Sequence, residues 1–268
     1  MTAVIDAAQA AALARPLKGG IRELMVSLLP CAATYAISPI ADYPVGAVAL
    51  GTSGSLYLGA NMEYVGTALS FTLHAEQSAT INAWQNDEQG LDAIAVSSAP
   101  CGSCRQFLYE LTTAEALVVH IRRKRSTRLT TLLPKPFGPA DLEVAATLMS
   151  SQNHGLTLVV PSSDALVLEA LAAANASYAP HTGDYAGVAL ETASGAVYRG
   201  RYAENAAFNP GVSPLEAALT MRVLDGRAAD AVTRAVLVET ASKASQEGAT
   251  GELLRVVAGI QPEVHQAA

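Results

Sequence analysis

Residues 74–104 read HAEQSATINAWQNDEQGLDAIAVSSAPCGSC, and three elements are legible in them. His74 to Glu88 holds neither glycine nor proline and predicts a helix. Leu91 to Ser97 is a short apolar run and predicts a strand. Pro100-Cys101-Gly102 is a turn that opens a second helix over Cys101 to Leu111. Upstream, Ile21, Leu24, Met25, Leu28 and Leu29 fall at helical spacing within 18–36. Val45 to Leu50 and Ser55 to Gly59 predict two strands joined by the hairpin signal Gly51-Thr52-Ser53-Gly54. Downstream, Ala116 to Ile121 predicts another strand. A helix, a hairpin and then strands alternating with helices make a mixed sheet covered by helices.

The pattern occurs twice. Ser53-Gly54, Tyr57, Gly59 and Glu63 return as Ser194-Gly195, Tyr198, Gly200 and Glu204, each 141 positions later. Asp42-Tyr43 is echoed by Asp184-Tyr185 with a slip of one residue. An ordered run of matches predicts duplication of one fold unit. The second half carries predicted helices near 163–177, 214–224 and 250–258 and a strand near 233–239. Between the copies, Pro134-Lys135-Pro136-Phe137-Gly138-Pro139 forbids a helix or a central strand and reads as a linker. The expected fold class is α/β: two homologous three-layer α-β-α domains with mixed sheets and a short N-terminal helical extension.

Half of the 268 residues are hydrophobic, enough for packed cores, and no apolar run reaches membrane-spanning length. No signal-peptide pattern opens the chain, so a cytoplasmic protein is expected. The net charge of −7 is uneven: residues 1–140 hold ten basic and ten acidic residues, residues 141–268 seven and fourteen. Such a chain is a poor binder of polynucleotides in bulk. Arg122-Arg123-Lys124-Arg125 with Arg128 is the local exception, read as a solvated loop or a phosphate contact.

Chemistry concentrates at the ends of the quoted stretch. Cys101 and Cys104, three apart at a helix start, can face one metal ion, and the positive helix N-terminus favours their thiolates. With His74 they supply three ligands of a tetrahedral zinc, leaving the fourth place open for water, the layout of a catalytic ion. Glu76, two residues past His74, is placed to take that water's proton. The Cys-x-x-Cys alone would also fit a structural zinc clip or a redox pair. His-x-Glu followed by Pro-Cys-x-x-Cys resembles the signature of zinc deaminases. Arg105 either donates to the thiolates or is an ordinary surface arginine. Cys31 is expected to be a buried small hydrophobe and Trp84 core. His120, His154, His181 and His265 show no ligand spacing.

The segments Gly59-Ala60-Asn61-Met62-Glu63-Tyr64, His74 to Ala79 and Pro100 to Phe107 closely resemble the cytidine deaminase family. Leu133 to Leu142 and Tyr202 to Pro210 resemble its long, dimeric branch. The resemblance implies one Zn²⁺ per chain and hydrolysis of cytidine and 2′-deoxycytidine to the uridines and ammonia, with Glu76 shuttling protons. It implies that Asn61 and Glu63 hold the ribose 3′-hydroxyl. Tyr43 packs on the base, at a position more often phenylalanine, and the Ala75 amide and Ala99 carbonyl contact the pyrimidine edge. It divides the chain into an extension (1–17), a catalytic zinc domain (18–133), a linker (134–142) and a degenerate domain (143–268). Aligning Glu216 with Glu76 puts Pro214 where His74 would be, and no cysteine follows Cys104. The second copy is then noncatalytic, and its Ala207 and Phe208 complete the site of the other chain in a homodimer. The expected partners are a nucleoside and a second copy, with neither nucleic acid nor membrane. Two rivals remain: a deaminase of nucleotides or polynucleotides, which the Asn61/Glu63 pair disfavours, and an inactive zinc protein acting as a binding module.

Overall fold

In a computed structural model describing residues 3–268, the chain opens with a two-residue strand β1 (Val4–Ile5) and helix α1 (Ala7–Ala14). The Asp6 carboxylate caps α1, accepting the Gln9 N–H at 2.9 Å. Two compact units follow from the packing. The first takes the chain through Glu63 and Thr72–Ser150; the second takes Tyr64–Phe71 and Ser151–Ala268.

The first unit continues with α2 (Gly20–Ala32), β2 (Gly46–Gly51), β3 (Leu56–Ala60), α3 (Ala75–Gln85), β4 (Leu91–Val96), α4 (Gly102–Leu108), β5 (Val118–Ile121), β6 (Thr127–Arg128) and the single turn α5 (Leu129–Leu132). Its sheet runs β1-β3-β2-β4-β5-β6. Only the β4–β5 pair is parallel, joined through α4. Two glycines fix the layers. Ala47 pairs with Gly59, so these two share a face and Gly46 points to the other. A side chain on Gly46 would strike the backbone of α2 at Leu29 and Ala33; one on Gly59 would strike α3 at Ala75 and Ala79. The two helices therefore lie on opposite faces, each close enough to exclude a Cβ. Helix α3 is buried on every side from Ala75 to Trp84.

The second unit repeats this plan with α6 (Ala165–Asn175), β7 (Ala186–Thr192), β8 (Val197–Arg201), α7 (Pro214–Leu224), β9 (Val232–Thr240), α8 (Glu247–Val257) and β10 (Glu263–Ala267). The sheet runs β10-β9-β7-β8, with β10 parallel to β9. Gly187 and Gly200 repeat the close approaches, to α6 and α7. The chain is thus two mixed sheets, each flanked by helices.

Several expectations need correction. Helix α3 ends at Gln85, not Glu88, because Asp87 turns with φ +61° and the Glu88 carboxylate serves the hairpin. It accepts from Thr52 Oγ1 at 2.9 Å, Ser53 Oγ at 2.5 Å and Tyr57 Oη at 3.1 Å. In the second copy Ser194 Oγ reaches Asp230 at 2.5 Å and Tyr198 Oη reaches Asp225 at 2.7 Å. The slip at Asp42-Tyr43 is absent. Asp42 N–H bonds the Ser38 carbonyl and Gly183 N–H the Ala179 carbonyl, so Asp42 matches Gly183 and the offset stays at 141. Both take positive φ, +48° and +73°. Cys31 is half-buried, whereas Trp84 is core. Among the described residues β1, β6 and β10 are strands the sequence reading did not foresee.

Candidate active site and metal centre

Each ligand candidate sits at a helix N-terminus. His74 is the N-cap residue of α3 and Cys101 that of α4. The chain reaches His74 in extended conformation, and its N–H donates to Gln77 Oε1 at 3.0 Å. Four residues, Ser97 to Pro100, separate the end of β4 from Cys101, so α4 starts at the C-terminal end of an interior strand. Cys101 Sγ accepts the Cys104 N–H at 3.4 Å.

His74 Nδ1 lies 3.4 Å from Cys101 Sγ and 3.2 Å from Cys104 Sγ, and the two sulfurs are 3.5 Å apart. Among the described residues this is the one group of three or more His, Cys, Asp or Glu whose ligand atoms all lie within 4.8 Å of one another. A tetrahedral zinc with bonds of about 2.0–2.3 Å needs donor separations of about 3.5–3.8 Å. The observed triangle is within about 0.3 Å of that, and one imidazole with two thiols is a zinc donor set, so the residues fit the ion. The two thiols are shifted in opposite directions. Cys101 is pulled down to about 4 by the Cys104 S–H and backbone N–H beside it. Cys104 is pushed up by that neighbouring thiolate and by its own burial.

The ligands open onto a cleft of about 250 Å³, lined by His74, Glu76 and Cys101 together with Tyr43, Asn61, Glu63, Ala75 and Ala99. The structure thus brings all the first-copy site candidates except the buried Cys104 to one concavity. Glu76 is 5% exposed, and burial raises its carboxyl above the usual range. Asn61 Oδ1 accepts the Val45 N–H at 2.8 Å and its Nδ2 donates to the Tyr43 carbonyl at 3.1 Å. Glu63 Oε2 accepts the N–H groups of Ile40 and Ala41 at 2.8 and 3.0 Å. Both residues therefore grip the loop that carries Tyr43. The sequence reading missed Ser98, whose Oγ is 2.9 Å from Tyr43 Oη at the cleft wall, and Ala41. Neither residue type carries a chemical signal in a sequence.

Arg105 does neither of the things expected. Its Nε donates to the Pro100 carbonyl at 2.9 Å and its Nη1 to the Leu132 carbonyl at 2.8 Å, bracing the turn before Cys101. Arg122 to Arg125 and Arg128 are all exposed. Ala207 and Phe208 lie on an exposed turn of the second unit, with Phe208 at φ +60°.

The second copy lacks more than metal ligands. The Met62–Leu73 bridge corresponds to Ala203–Val212. The first partners are 141 apart and the second 139, so the loop between is two residues shorter in the second copy. Gly59 faces the Ala75 carbonyl and Gly200 the Pro214 carbonyl, with the same offset of 139. Ser213 therefore stands at His74 and Leu215 at Glu76. Glu216 is the counterpart of Gln77, and like it accepts the N–H of the capping residue, here at 3.0 Å. The alignment of Glu216 with Glu76 does not hold in three dimensions.

Two family models, both described as the cytidine and deoxycytidylate deaminase zinc-binding region, match residues 20–120 and 129–251. A cytidine deaminase of Shewanella loihica is 44% identical over 260 residues, covering 97% of this chain and 87% of that protein. One of Photobacterium profundum is 48% identical over 219 residues, covering 82% and 74%. The crystal structure of cytidine deaminase from Mycobacterium tuberculosis is 31% identical, covers 43% of this chain and 96% of that one, and has a TM-score of 0.40. With a zinc-suited His/Cys/Cys cluster in one copy, family matches over both, and identity of this order over nearly its whole length, the chain belongs to the cytidine deaminase family.

Proposed function

We propose that the first unit hydrolyses cytidine and 2′-deoxycytidine to uridine and 2′-deoxyuridine with release of ammonia, in pyrimidine salvage in the cytoplasm. The observation that carries this is the position of Glu76: a buried carboxyl in the same cleft as the His74/Cys101/Cys104 triangle. Zinc bound by that triangle supplies a Lewis acid that makes a water acidic near neutral pH. Glu76 takes the proton of the attacking water, delivers a proton to N3 of the pyrimidine and later assists the departing amine. Its raised pKa suits a group that must both accept and give. The Ala75 N–H and the Ala99 carbonyl hold the pyrimidine edge, Tyr43 packs on the base, and Asn61 and Glu63 take the 3′-hydroxyl of the sugar.

In domain terms, residues 18–133 are the catalytic part, 134–142 the linker, and 143–268 a noncatalytic copy. Leu215 in place of Glu76 and Ser213 in place of His74 support that last assignment. Ala207 and Phe208 roof the site of a second chain in a homodimer. The exposed aromatic at positive φ supports this, because such a conformation costs energy that a contact must offset. The test is loss of the cytidine absorbance band on adding purified protein, with and without a zinc chelator. No loss of absorbance from zinc-loaded protein would refute the reading.

A further inference from the structure

Cys101 hangs from the turn between β4 and α4, and that turn has few means of holding itself in place. Its first residue is tied to β2: the Ser97 N–H donates to the Gly46 carbonyl at 3.0 Å, and Ser97 Oγ accepts the Gly46 N–H at 3.1 Å. Past Ser98 such ties stop. Pro100 has no N–H to give. Among the described residues the main chain of Ala99 makes no hydrogen bond within the protein. Ala99 and Cys101 both line the cleft. Main-chain groups that face a ligand are not free to fasten the chain, so other atoms must do it.

Arg105 supplies the fastening. Its Nε donates to the Pro100 carbonyl at 2.9 Å and its Nη1 to the Leu132 carbonyl at 2.8 Å. The second acceptor is itself anchored. It ends the single turn α5, whose Leu129 is fully buried and donates its N–H to the Leu117 carbonyl at 3.0 Å, one residue before β5. The guanidinium therefore joins the turn to a fixed point of the sheet, and its planar fork sets the direction of both bonds. The second copy, which has no ligands, holds its turn by other means. No arginine occurs from Ala241 to Leu254. There the Glu239 carboxylate accepts Ser245 Oγ at 2.9 Å and the Gln246 N–H at 2.8 Å ahead of α8. The arginine brace is found only beside the zinc ligands.

We propose that Arg105 is a positioning residue of the metal centre: by holding the Pro100 and Leu132 carbonyls together it fixes the turn that aims the Cys101 sulfur at the zinc. It acts through the main chain, without contact to metal or substrate. The proposal rests on the reading of Cys101 as a zinc ligand and adds what keeps that ligand in place. Groups that orient a ligand are worth about tenfold to a hundredfold in metal affinity.

The control is Gln106, the next residue of α4, whose Nε2 donates to the Phe137 carbonyl at 2.6 Å and so ties the same helix to the stretch that follows α5. Zinc-loaded parent, Arg105→Met, Arg105→Lys and Gln106→Met proteins are mixed with a chromogenic chelator. The rate of zinc release is followed, each protein being held the same number of degrees below its own melting temperature. Methionine keeps much of the arginine stem and removes every donor. Lysine keeps the charge and a donor but lacks the planar fork. The expected result is release at least about tenfold faster in Arg105→Met and about threefold or more faster in Arg105→Lys, with Gln106→Met within about twofold of the parent. Equal rates in Arg105→Met and Gln106→Met would overturn the proposal and make Arg105 a scaffold residue. If Arg105→Met does not fold, the lysine variant decides, and a parental rate there overturns the proposal. A parent protein that takes up no zinc would overturn the metal reading itself, and this proposal with it.

Discussion

Replacing Glu76 by glutamine keeps the shape of the side chain and removes its ability to accept a proton. The size of the effect follows from its surroundings. At 5% exposure, little bulk water reaches the carboxyl to substitute for it. One proton transfer by a placed group is worth about 10²–10⁴ in rate. Glu76 is assigned transfers both to and from the substrate, so the loss falls at the upper end, about 10⁴, equivalent to about 5 kcal/mol in the barrier. The measurements are cytidine turnover by absorbance and zinc per chain by metal analysis. The expected outcome is turnover down about ten-thousandfold with one zinc retained. Turnover within about tenfold of the parent would refute the proton-carrier role. Loss of zinc with the activity would instead make Glu76 part of what holds the metal.

Cys101→Ala and Cys104→Ala should each lose the metal while Cys31→Ala keeps one zinc per chain; zinc loss in the Cys31 variant alone would contradict the ligand set. Asp184 is fully buried and raised to about 6, chiefly by that burial. Its folded pKa lies above its unfolded one, so the unfolded chain gives up this proton first. Stability is therefore lost as pH rises from about 4 through about 6. Asp184→Asn should melt higher than the parent at pH 8 and show no such gain at pH 4, by thermal denaturation at both. Mixing Glu76→Gln chains with Phe208→Glu chains should restore activity in one of the two sites of each mixed dimer; no recovery despite demonstrated subunit exchange would place Phe208 outside the partner's site.

Much of this was written in local sequence. The duplication is legible because hairpins and close-packed glycines are local requirements, and Gly59 and Gly200 meet them at the same step of each copy. The metal centre is legible because few residue types bind zinc, and His74, Cys101 and Cys104 fall at the start of helices whose boundaries the composition marks. What depended on distant pairing was not legible. Strand β10 has the unremarkable sequence Glu263-Val264-His265-Gln266-Ala267 and is a strand because β9 offers it an edge. The true counterpart of Glu76 is Leu215, hidden from sequence by a loop two residues shorter, since matching letters favoured Glu216 over the correct spatial position. The roles of Ala41, Ser98 and Arg105 follow from which carbonyl, hydroxyl or carboxylate oxygen stands opposite each. That is set by the packing of loops against strand ends, where the chain's own periodicity carries no information.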